Sequence, residues 1–365
     1  MAETTAYIGL GSNIGDRKSY IDSALKMLGR SGQIELGPVS EIIETEPLAK
    51  ADQPKYLNAV AELKTALSAK DLYETLAGIE TSLGRLRQGK WSARTIDLDL
   101  LLFGPEIIDS PDLTVPHAQM HLRCFVLEGL CELDGDLIHP VLKESATELA
   151  CRLRGSDFAL DPHLPQLVSI AGNIGAGKTT LAKKLAARLG SGVLFEAYDT
   201  NPFLPEVYAG RKELALDSEL YFLMSRARQL GPDVLEQGRV CVSDYVFDKN
   251  LLFARRLLDA QQFALYEDIH YLVAAKVASP TLVINMCDSP QNCLERIHSR
   301  NRPYEQQIEL SFLDMLSSDY ERLFGDWKVC PIIRAPKAEE ADVGRLADQI
   351  RYYTADDFIG ADNAK

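Results

Sequence analysis

The feature that most constrains the fold of this chain is the run GNIGAGKT at residues 172–179, which fits the pattern GxxxxGK[ST]. It follows a short apolar strand pattern, LVSIAG, and opens the helical pattern TTLAKKLAARLG. A strand, a glycine-rich turn and a helix in this order form a phosphate-binding loop, because the glycines let backbone N–H groups face phosphate oxygens. The sequence therefore predicts a site for a nucleoside triphosphate. The alternative is a glycine-rich turn without a ligand.

Two residues of this loop have distinct expected roles. Lys178 would reach the β- and γ-phosphates of ATP and take part in catalysis, and Thr179 would bind one Mg²⁺ ion. The residues of the loop that we predict to bind ATP are Gly172, Asn173, Gly175, Gly177, Thr179 and Thr180.

The rest of this half alternates strand and helix patterns. Its strands are predicted at LVSIAG, GVLFEA, RVCVSDY, TLVINMC and CPIIRA. Such alternation indicates a parallel sheet wrapped by helices, with ligands at the carboxyl ends of the strands. We therefore predict an α/β domain with a five-stranded parallel sheet.

Charged residues near the loop indicate how a phosphoryl group would be transferred. Glu196 ends the second strand, where its carboxylate could take a proton from an attacking hydroxyl; the alternative is a solvated loop acid. Arg296, Arg300 and Arg302 lie on or just past one helix and could close over the phosphates of ATP. The alternative for these arginines is a solvated basic helix face.

A second site is predicted in the first half, in the strand pattern TIDLDLLLFG. Because side chains alternate along a strand, Asp97 and Asp99 lie on one face. The opposite, core face is expected to carry Ile96, Leu98, Leu100 and Leu102. Two neighbouring carboxylates repel unless a cation neutralises them, and oxygen ligands without His or Cys favour Mg²⁺. The alternative is a pair of solvated acids on an exposed sheet face.

Cationic residues accompany this strand and could neutralise the triphosphate of ATP beside the metal. Those that crowd its approach, with one aromatic residue among them, are Arg85, Arg87, Lys90, Trp91 and Arg94. His117 and Arg123 follow the strand; a lone histidine is often structural, but beside this cluster we assign His117 to ATP binding.

The 365 residues fit two domains better than one core. The loop-rich run LRGSDFALDPHLPQL contains the boundary. We predict a first domain at 1–155, a linker at 156–165 and a second domain at 166–365. The first domain mixes helices and strands in an α+β order with an antiparallel sheet.

Composition argues against several classes of protein. A net charge of -14 disfavours a general nucleic-acid binder. The sequence has no apolar run of about 18 residues, so we expect no membrane span. Seven scattered cysteines without a CxxC pair, and an N-terminus without a signal-peptide pattern, favour a cytoplasmic protein with reduced thiols.

The second half resembles the deoxyribonucleoside kinase family over roughly residues 166–330, on the runs GNIGAGKTT, NPFL, ELYFLMSRARQ, SDYVFDKNLLFA and RIHSRNRPYEQ. The resemblance implies a P-loop kinase fold, ATP as co-substrate and one Mg²⁺ ion. It also implies that Glu196 is the general base for a nucleoside 5′-hydroxyl, and that the domain forms a homodimer. The residues that it assigns to nucleoside binding are Tyr208, Glu219, Arg226, Asp244 and Glu305.

Two departures from this family bear on activity and substrate. Many members have an acidic residue followed by Arg and Ser after the third strand, whereas this chain has Asp244-Tyr245-Val246. We therefore expect either that Arg226, or one of Arg296, Arg300 and Arg302, replaces the missing arginine, or that activity is reduced. Glu219 stands where a glutamine usually reads the base; a carboxylate only accepts hydrogen bonds, which favours guanine and hence a purine. The alternative is a deoxynucleotide-sensing or dimerisation domain without turnover.

The first half resembles 6-hydroxymethyl-7,8-dihydropterin pyrophosphokinase, a family of folate synthesis, over about residues 5–150. The matching runs are AYIGLGSNIGD, ETEPLAKADQPKYLNAV, RTIDLDLLLFG and LTVPHAQMHLRCFVL. The resemblance implies a ferredoxin-like sheet, pyrophosphoryl transfer from ATP with release of AMP, and two Mg²⁺ ions on Asp97 and Asp99. It assigns catalysis to Arg85 and Arg94, and ATP binding to Glu80, Arg87, Trp91, His117 and Arg123. It assigns the pterin pocket to Thr45, Leu48, Tyr56, Asn58 and Phe125. The sequence thus predicts a bifunctional ATP-dependent enzyme acting on small molecules.

Overall fold

The computed structural model describes residues 3–48, 53–85, 94–231, 233–337 and 342–355. It divides into two compact units, Met1–Ala159 and Leu160–Lys365. Three residues of the predicted sites, Arg87, Lys90 and Trp91, lie outside the described residues.

The first residues of the predicted linker form hydrogen bonds with the first unit. The Asp157 carboxylate accepts a hydrogen bond of 2.6 Å from the backbone N–H of Cys124, and the N–H of Phe158 donates to the Leu122 carbonyl at 2.9 Å. The predicted domain limits at 155 and 166 stay predictions.

An antiparallel sheet with the strand order β2-β4-β1-β5 forms the centre of the first unit, and β3 pairs with β4. With the short β3 set aside, two helices connect the four strands in a βαββαβ order, which is the ferredoxin-like arrangement. The elements are β1 Thr4–Ser12, α1 Arg17–Arg30, β2 Ile34–Val39, β3 Ile43–Thr45, β4 Tyr56–Thr65, α2 Ala69–Ser82 and β5 Asp97–Phe103. The remaining elements are β6 Ile108–Asp109, β7 Thr114–Val115, a 3₁₀ turn Met120–Leu122, α3 Cys124–Asp134 and α4 Ala146–Leu153.

Helices α1 and α2 are both capped at their first turn. The side chain of Asp16 accepts a hydrogen bond from the Ser19 N–H at the start of α1, and Ser68 accepts one from the Asp71 N–H at the start of α2. Such caps satisfy N–H groups that have no partner within the helix.

Strand β5 departs from strict alternation near its end. Ile96, Leu98 and Leu100 are buried in the core cluster of this unit, as predicted. The pairing of β1 with β5 then shifts by one residue, so that Leu101 is an extra residue in β5. Beyond this bulge Phe103 belongs to the cluster instead of Leu102. Leu102 is buried as predicted, but it does not share the face of Leu100.

The run PVSEIIETEP contains the end of β2 and all of β3. The break falls at Ser40, whose side chain accepts a hydrogen bond of 2.9 Å from the Val60 N–H. The register between β2 and β4 also shifts between Leu36 and Val39, around Pro38, which cannot donate to a strand partner.

A five-stranded parallel sheet with the order β12-β11-β8-β10-β9 forms the centre of the second unit. The predicted parallel sheet is therefore confirmed. Its strands are β8 Gln166–Gly172, β9 Gly192–Leu194, β10 Val240–Ser243, β11 Leu282–Met286 and β12 Ile332–Ala335. Its helices are α5 Lys178–Leu189, α6 Leu204–Tyr208, α7 Ala215–Gln229, α8 Lys249–Leu257, α9 Ala260–Ala274, α10 Pro290–Arg300, α11 Leu310–Gly325 and α12 Val343–Tyr353, with 3₁₀ turns at Lys212–Leu214 and Pro303–Glu305.

No helix in the described part of the chain is long and apolar enough to cross a membrane.

Candidate active sites

The first site lies at the start of β5, which pairs with β1 at one end of the strand order of the antiparallel sheet. Asp97 Oδ1 lies 2.5 Å from Arg85, and Arg94 pairs with Asp97 Oδ2. Arg94 is held in turn by Asn13, whose side-chain oxygen accepts a hydrogen bond of 2.7 Å from the Arg94 N–H. The structure therefore brings together Asp97 and the two arginines that the sequence assigned to catalysis.

Asp99 is the second carboxylate on this face of β5 and is half-buried. Loss of hydration raises the pKa of Asp99, and the negative charge of Asp97 raises it further. The charges of His117, Arg85 and Arg94 act in the opposite direction, so these residues lie close to Asp99. The site thus combines two mutually repelling carboxylates with nearby cations.

These residues fit Mg²⁺ as a ligand set. The described residues contain no group of three or more His, Cys, Asp or Glu side chains placed to hold a metal by themselves. Mg²⁺ commonly binds one or two carboxylates and completes its coordination with water and phosphate oxygens. Asp97 and Asp99 match that requirement, whereas a structural metal would need more protein ligands.

Glu80 is buried beneath this site rather than exposed beside it. Its Oε1 accepts a hydrogen bond of 2.7 Å from the Leu98 N–H of β5 and also pairs with Arg85. Burial raises the pKa of Glu80. In this structure Glu80 orients Arg85 and fixes β5, and its predicted contact with ATP stays a prediction.

Three of the residues assigned to the pterin pocket, Thr45, Tyr56 and Asn58, lie on β3 and β4, which β1 separates from β5. Asn58 on β4 donates a hydrogen bond of 2.7 Å to Thr45 on β3. Burial raises the pKa of Tyr56, and Arg94, Asp97 and Arg123 lie near enough to influence it. Leu48 and Phe125 are half-buried.

Sequence reasoning did not assign a role to Gly11 of β1, which lies between Asn58 and Asp97 in the sheet. A Cβ atom at this position would lie 2.9 Å from the Asn58 side-chain oxygen and 3.8 Å from the Asp97 Cβ. Glycine therefore keeps the space between the predicted pterin and metal residues open. The available signal was the pair of glycines in GLGS, since glycine within a strand often marks a close approach.

His117 and Arg123 border the same site from the segment after β7. The His117 N–H donates to the Leu101 carbonyl at 2.9 Å, and the Gln119 side chain accepts a hydrogen bond of 2.8 Å from Arg123. Burial lowers the pKa of Arg123.

The second site lies at the carboxyl end of β8, where the loop 172–179 leads into α5. Gly175 has φ +79°, and a Cβ atom there would lie 2.4 Å from the Cys293 carbonyl oxygen. Gly177, with φ 93°, occupies the position before the first residue of α5. Both positions need glycine, which leaves the loop backbone free to face an anion at the helix N-terminus.

The side chain of Lys178 folds back onto the loop that precedes it. Its Nζ donates to the carbonyls of Gly172 at 3.0 Å and Asn173 at 2.8 Å. Burial, followed by the positive charge of Lys249, lowers the pKa of Lys178 to about 7. The lysine lies within the loop, where β- and γ-phosphates would be bound.

Asp244, at the end of β10, connects the loop to Glu196. Its Oδ2 accepts a hydrogen bond of 2.6 Å from the Thr179 hydroxyl, and its Oδ1 accepts one of 2.8 Å from the Glu196 N–H. A hydroxyl and a carboxylate at this position fit one Mg²⁺ ion as oxygen ligands. The structure thus places Asp244 beside the phosphate loop, while its predicted role in nucleoside binding stays a prediction.

Glu196 is held by two cations. Arg226 pairs with its Oε1, and Lys249 Nζ lies 2.7 Å from its Oε2. Sequence reasoning named Arg226 as a replacement for the missing motif arginine but did not name Lys249. The signal was weak, because Lys249 is four residues beyond Tyr245 and reaches Glu196 only when α8 has formed.

A cavity of about 460 Å³ extends from this loop and is lined by Glu196, Arg226 and Glu219. Its volume is in the range of small-molecule sites. Tyr208 and Glu305, which the sequence assigned as a pair, also line it, and the charge of Glu305 contributes to raising the pKa of Tyr208 after burial.

The three arginines of the predicted phosphate clamp lie near the loop but have protein partners. Arg296 Nε donates to the Gly175 carbonyl at 2.7 Å and pairs with Asp288. Arg300 lies 2.6 Å from Glu305, and Arg302 stacks on Tyr198 at 4.1 Å. Arg300 and Arg302 line the cavity; in this structure Arg296 braces the loop from outside.

Comparison with known proteins gives a separate match for each unit. Residues 7–135 match the family 7,8-dihydro-6-hydroxymethylpterin-pyrophosphokinase (HPPK), and residues 168–351 match the family deoxynucleoside kinase. The 2-amino-4-hydroxy-6-hydroxymethyldihydropteridine pyrophosphokinase of Bacillus subtilis (strain 168) is 45% identical over 128 residues, covering 35% of this chain and 77% of that protein.

Deoxyguanosine kinase of the same strain is 38% identical over 157 residues, which cover 42% of this chain and 76% of that protein. A solved structure of deoxyadenosine kinase from M. mycoides with bound dATP aligns at 23% identity with a TM-score of 0.45, covering 51% of this chain and 97% of that one. The chain therefore belongs to two families, with an HPPK domain in its first half and a deoxynucleoside kinase domain in its second.

Proposed function

We propose that this chain is a bifunctional enzyme with two ATP-dependent activities. The first unit transfers the β,γ-pyrophosphoryl group of ATP to the hydroxymethyl oxygen of 6-hydroxymethyl-7,8-dihydropterin and releases AMP. The second transfers the γ-phosphoryl group of ATP to the 5′-hydroxyl of a deoxynucleoside, preferably a purine. Membership of the two families supports both activities.

The observation that carries the first activity is the pairing of Asp97 with Arg85 and Arg94. Two Mg²⁺ ions bound by Asp97 and Asp99 would neutralise the triphosphate and orient it for transfer. The two arginines would then release Asp97 and bind phosphate oxygens, whose geometry matches that of a guanidinium. Asn58 and Tyr56 of β4 would hold the pterin ring.

The observation that carries the second activity is the position of Glu196 beside the phosphate loop, to which Asp244 connects it. A carboxylate at this place can accept the proton of the 5′-hydroxyl as the hydroxyl attacks the γ-phosphorus. One Mg²⁺ ion held at Thr179 would neutralise charge on the β- and γ-phosphates. Tyr208 and Glu305 would hold the sugar.

The purine preference has a different basis from the one that the sequence suggested. Burial raises the pKa of Glu219 to about 8, so at neutral pH its side chain is an uncharged acid. An uncharged carboxyl donates one hydrogen bond and accepts another, as the amide of glutamine does. The preference therefore rests on the similarity to deoxyguanosine kinase and not on a carboxylate that only accepts.

The test is to separate adenine nucleotides after incubation of the full chain with ATP and Mg²⁺. One sample contains hydroxymethyldihydropterin, and four others each contain one deoxynucleoside. We expect AMP only with the pterin and ADP with a deoxynucleoside, fastest with a purine. Absence of AMP with the pterin would contradict the first activity.

The alternative for the second unit is a sensor that binds deoxynucleotides without turnover. The pairing of both Glu196 oxygens with cations favours this alternative, because it leaves neither oxygen free to accept a proton. Binding of a deoxynucleoside without ADP formation above background would support this alternative. ADP formation that depends on the deoxynucleoside would exclude it.

We also propose that the second unit forms a homodimer. Helix α9 exposes Leu265, Tyr271 and Leu272, with 55%, 59% and 71% of their surfaces accessible. Adjacent exposed apolar side chains of this kind are often covered by a partner. Sedimentation equilibrium of the full chain and of a Leu272→Glu variant tests this, since the variant should shift toward monomer.

A further inference from the structure

Lys249, the first residue of α8, has hydrogen-bonding capacity that its protein contacts do not use. Its side chain is 6% exposed, and Glu196 is the only hydrogen-bond acceptor that its ammonium contacts in the described part of the chain. An ammonium has three N–H donors, so two remain available. Arg226, by contrast, is fixed by Glu196 and by the side-chain oxygen of Asn250.

The ammonium of Lys249 lies near both parts of the proposed reaction site, the phosphate loop and Glu196. It contacts Glu196 at 2.7 Å and lines the same cavity as the phosphate loop. It is also near enough to Lys178 for its positive charge to lower the pKa of Lys178. A group in this position can meet both the γ-phosphate that Lys178 binds and the hydroxyl that Glu196 deprotonates.

The need to orient Glu196 does not explain why Lys249 is buried beside it in addition to Arg226. Arg226 already pairs with one oxygen of Glu196 and is itself anchored by Asn250. Burying a further ammonium is costly unless another negative charge compensates it. Burial and the charge of Arg226 lower the pKa of Lys249, and the nearby acids Asp244 and Glu219 offset only part of this effect. The negative charge of a phosphoryl group beside Lys249 would supply the rest.

We propose that Lys249 binds the phosphoryl group while it is transferred to the deoxynucleoside, as a catalytic residue of this kinase site. The inference rests on the proposed kinase activity. In that reaction the 5′-oxygen forms a bond to the γ-phosphorus, and the bond from the γ-phosphorus to the β,γ-bridging oxygen breaks. ADP leaves with the electron pair of that bond, and the hydroxyl proton passes to Glu196. Lys249 offsets the negative charge on the transferring oxygens.

The experiment compares three variants of the full chain with the wild type. Lys249→Met keeps the length of the side chain without its charge, Lys249→Arg keeps the charge, and Lys184→Met removes an exposed lysine of α5 as a control. Steady-state ADP formation gives kcat for each protein. Calorimetry without ATP gives the Kd of the deoxynucleoside and of its 5′-monophosphate, and the unfolding temperature reports on folding.

We expect Lys249→Met to lower kcat by about 100-fold or more, a loss typical of a group that stabilises transition-state charge. Its affinity for the 5′-monophosphate should fall roughly tenfold, with the affinity for the deoxynucleoside changed less than about threefold. Lys249→Arg should recover most of the activity, and Lys184→Met should match the wild type.

Two results would overturn the inference. One is a Lys249→Met variant with wild-type kcat and wild-type affinity for the monophosphate. The other is an equal loss of affinity for the deoxynucleoside and the monophosphate together with a lower unfolding temperature, which indicates a structural ion pair. Failure of the proposed kinase activity can be told apart from failure of this inference. In the first case wild-type protein would form no ADP, and the comparison of binding affinities would still test the role of Lys249.

Discussion

Glu219 lies in the cavity of the second unit, 3% exposed, and its carboxyl group has no hydrogen-bond partner among the described residues. Burial raises the pKa of Glu219 to about 8, and the nearby charge of Lys249 opposes this effect. The side chain is therefore neutral below this pH and ionised above it. Only the neutral form can donate a hydrogen bond to a base.

This titration predicts a base selectivity that changes with pH. As the pH rises through 8, a carboxylate replaces the neutral acid and should favour guanine, which offers two adjacent N–H donors on one edge. The ratio of kcat/KM for deoxyguanosine over deoxyadenosine should rise several-fold between about pH 6.5 and about pH 8.5. Glu219→Gln does not titrate, so its ratio should stay constant; a constant ratio in the wild type would contradict the prediction.

The residues of both sites differ in how far the sequence could predict them. Asp97, Asp99 and the loop 172–179 were found because short local patterns place them on one face or in one turn. Lys249 was missed because its contact with Glu196 joins residues 53 positions apart. Gly11 was missed because its role depends on Asn58 and Asp97, which two other strands bring beside it.

At the scale of elements, β5 shows the limit of pattern reasoning. Alternation predicted the buried positions Ile96, Leu98 and Leu100, which contact the helices on one face of the sheet. It failed beyond Leu101, because the bulge arises from the pairing of β5 with β1 and leaves no mark in the sequence of β5 itself. The order of the elements was easier to predict than the register between strands.

Two helix glycines predict opposite effects on stability. A Cβ atom at Gly129 in α3 would lie 2.6 Å from Val60 Cγ2 on β4, whereas one at Gly78 in α2 would meet nothing within 4 Å. Gly129→Ala should destabilise the first unit by about 1–3 kcal/mol through overpacking. Gly78→Ala should stabilise it by about 0.5–1 kcal/mol, because alanine favours a helix more than glycine does.

Urea unfolding of each variant measures these changes. The matched pair separates the effect of packing from that of helix propensity, since both variants make the same substitution within a helix. Equal shifts in the same direction for Gly129→Ala and Gly78→Ala would show that α3 does not pack tightly against β4.

At the scale of the whole molecule, each candidate site is built from residues of one unit. We therefore predict that the two activities can be removed separately. Asp99→Asn should lower AMP formation with the pterin on the order of 100-fold and leave deoxynucleoside-dependent ADP formation unchanged. Lys178→Ala should do the reverse. A change of more than about threefold in the other activity of either variant would indicate coupling between the sites.

The second unit should also lose stability in acid because of His270. This histidine is 2% exposed, stacks on Phe247 at 5.0 Å and has no hydrogen bond on either ring nitrogen among the described residues. Burial, followed by the charge of Arg226, lowers the pKa of His270 from 6.5 to about 4. The unfolded chain then binds a proton more readily, so stability falls as the pH drops from 6.5 toward 4.

The expected loss is about 3 kcal/mol over this interval. His270→Phe removes the titrating group and keeps a ring beside Phe247, so its unfolding free energy should depend less on pH. Denaturant titrations at several pH values measure the difference. Parallel curves for wild type and variant would show that His270 carries no part of the acid sensitivity.

Asp244 joins the phosphate loop to Glu196, and this link matters for any redesign of the second unit. One carboxyl group holds the Thr179 hydroxyl at 2.6 Å and the Glu196 N–H at 2.8 Å. The phosphate loop and Glu196, the proposed proton acceptor, thus share one reference point, and a shift of the loop would move Glu196 with it. An engineer who enlarges the cavity from the sugar end leaves this spacing intact, whereas any change near Asp244 alters both partners together.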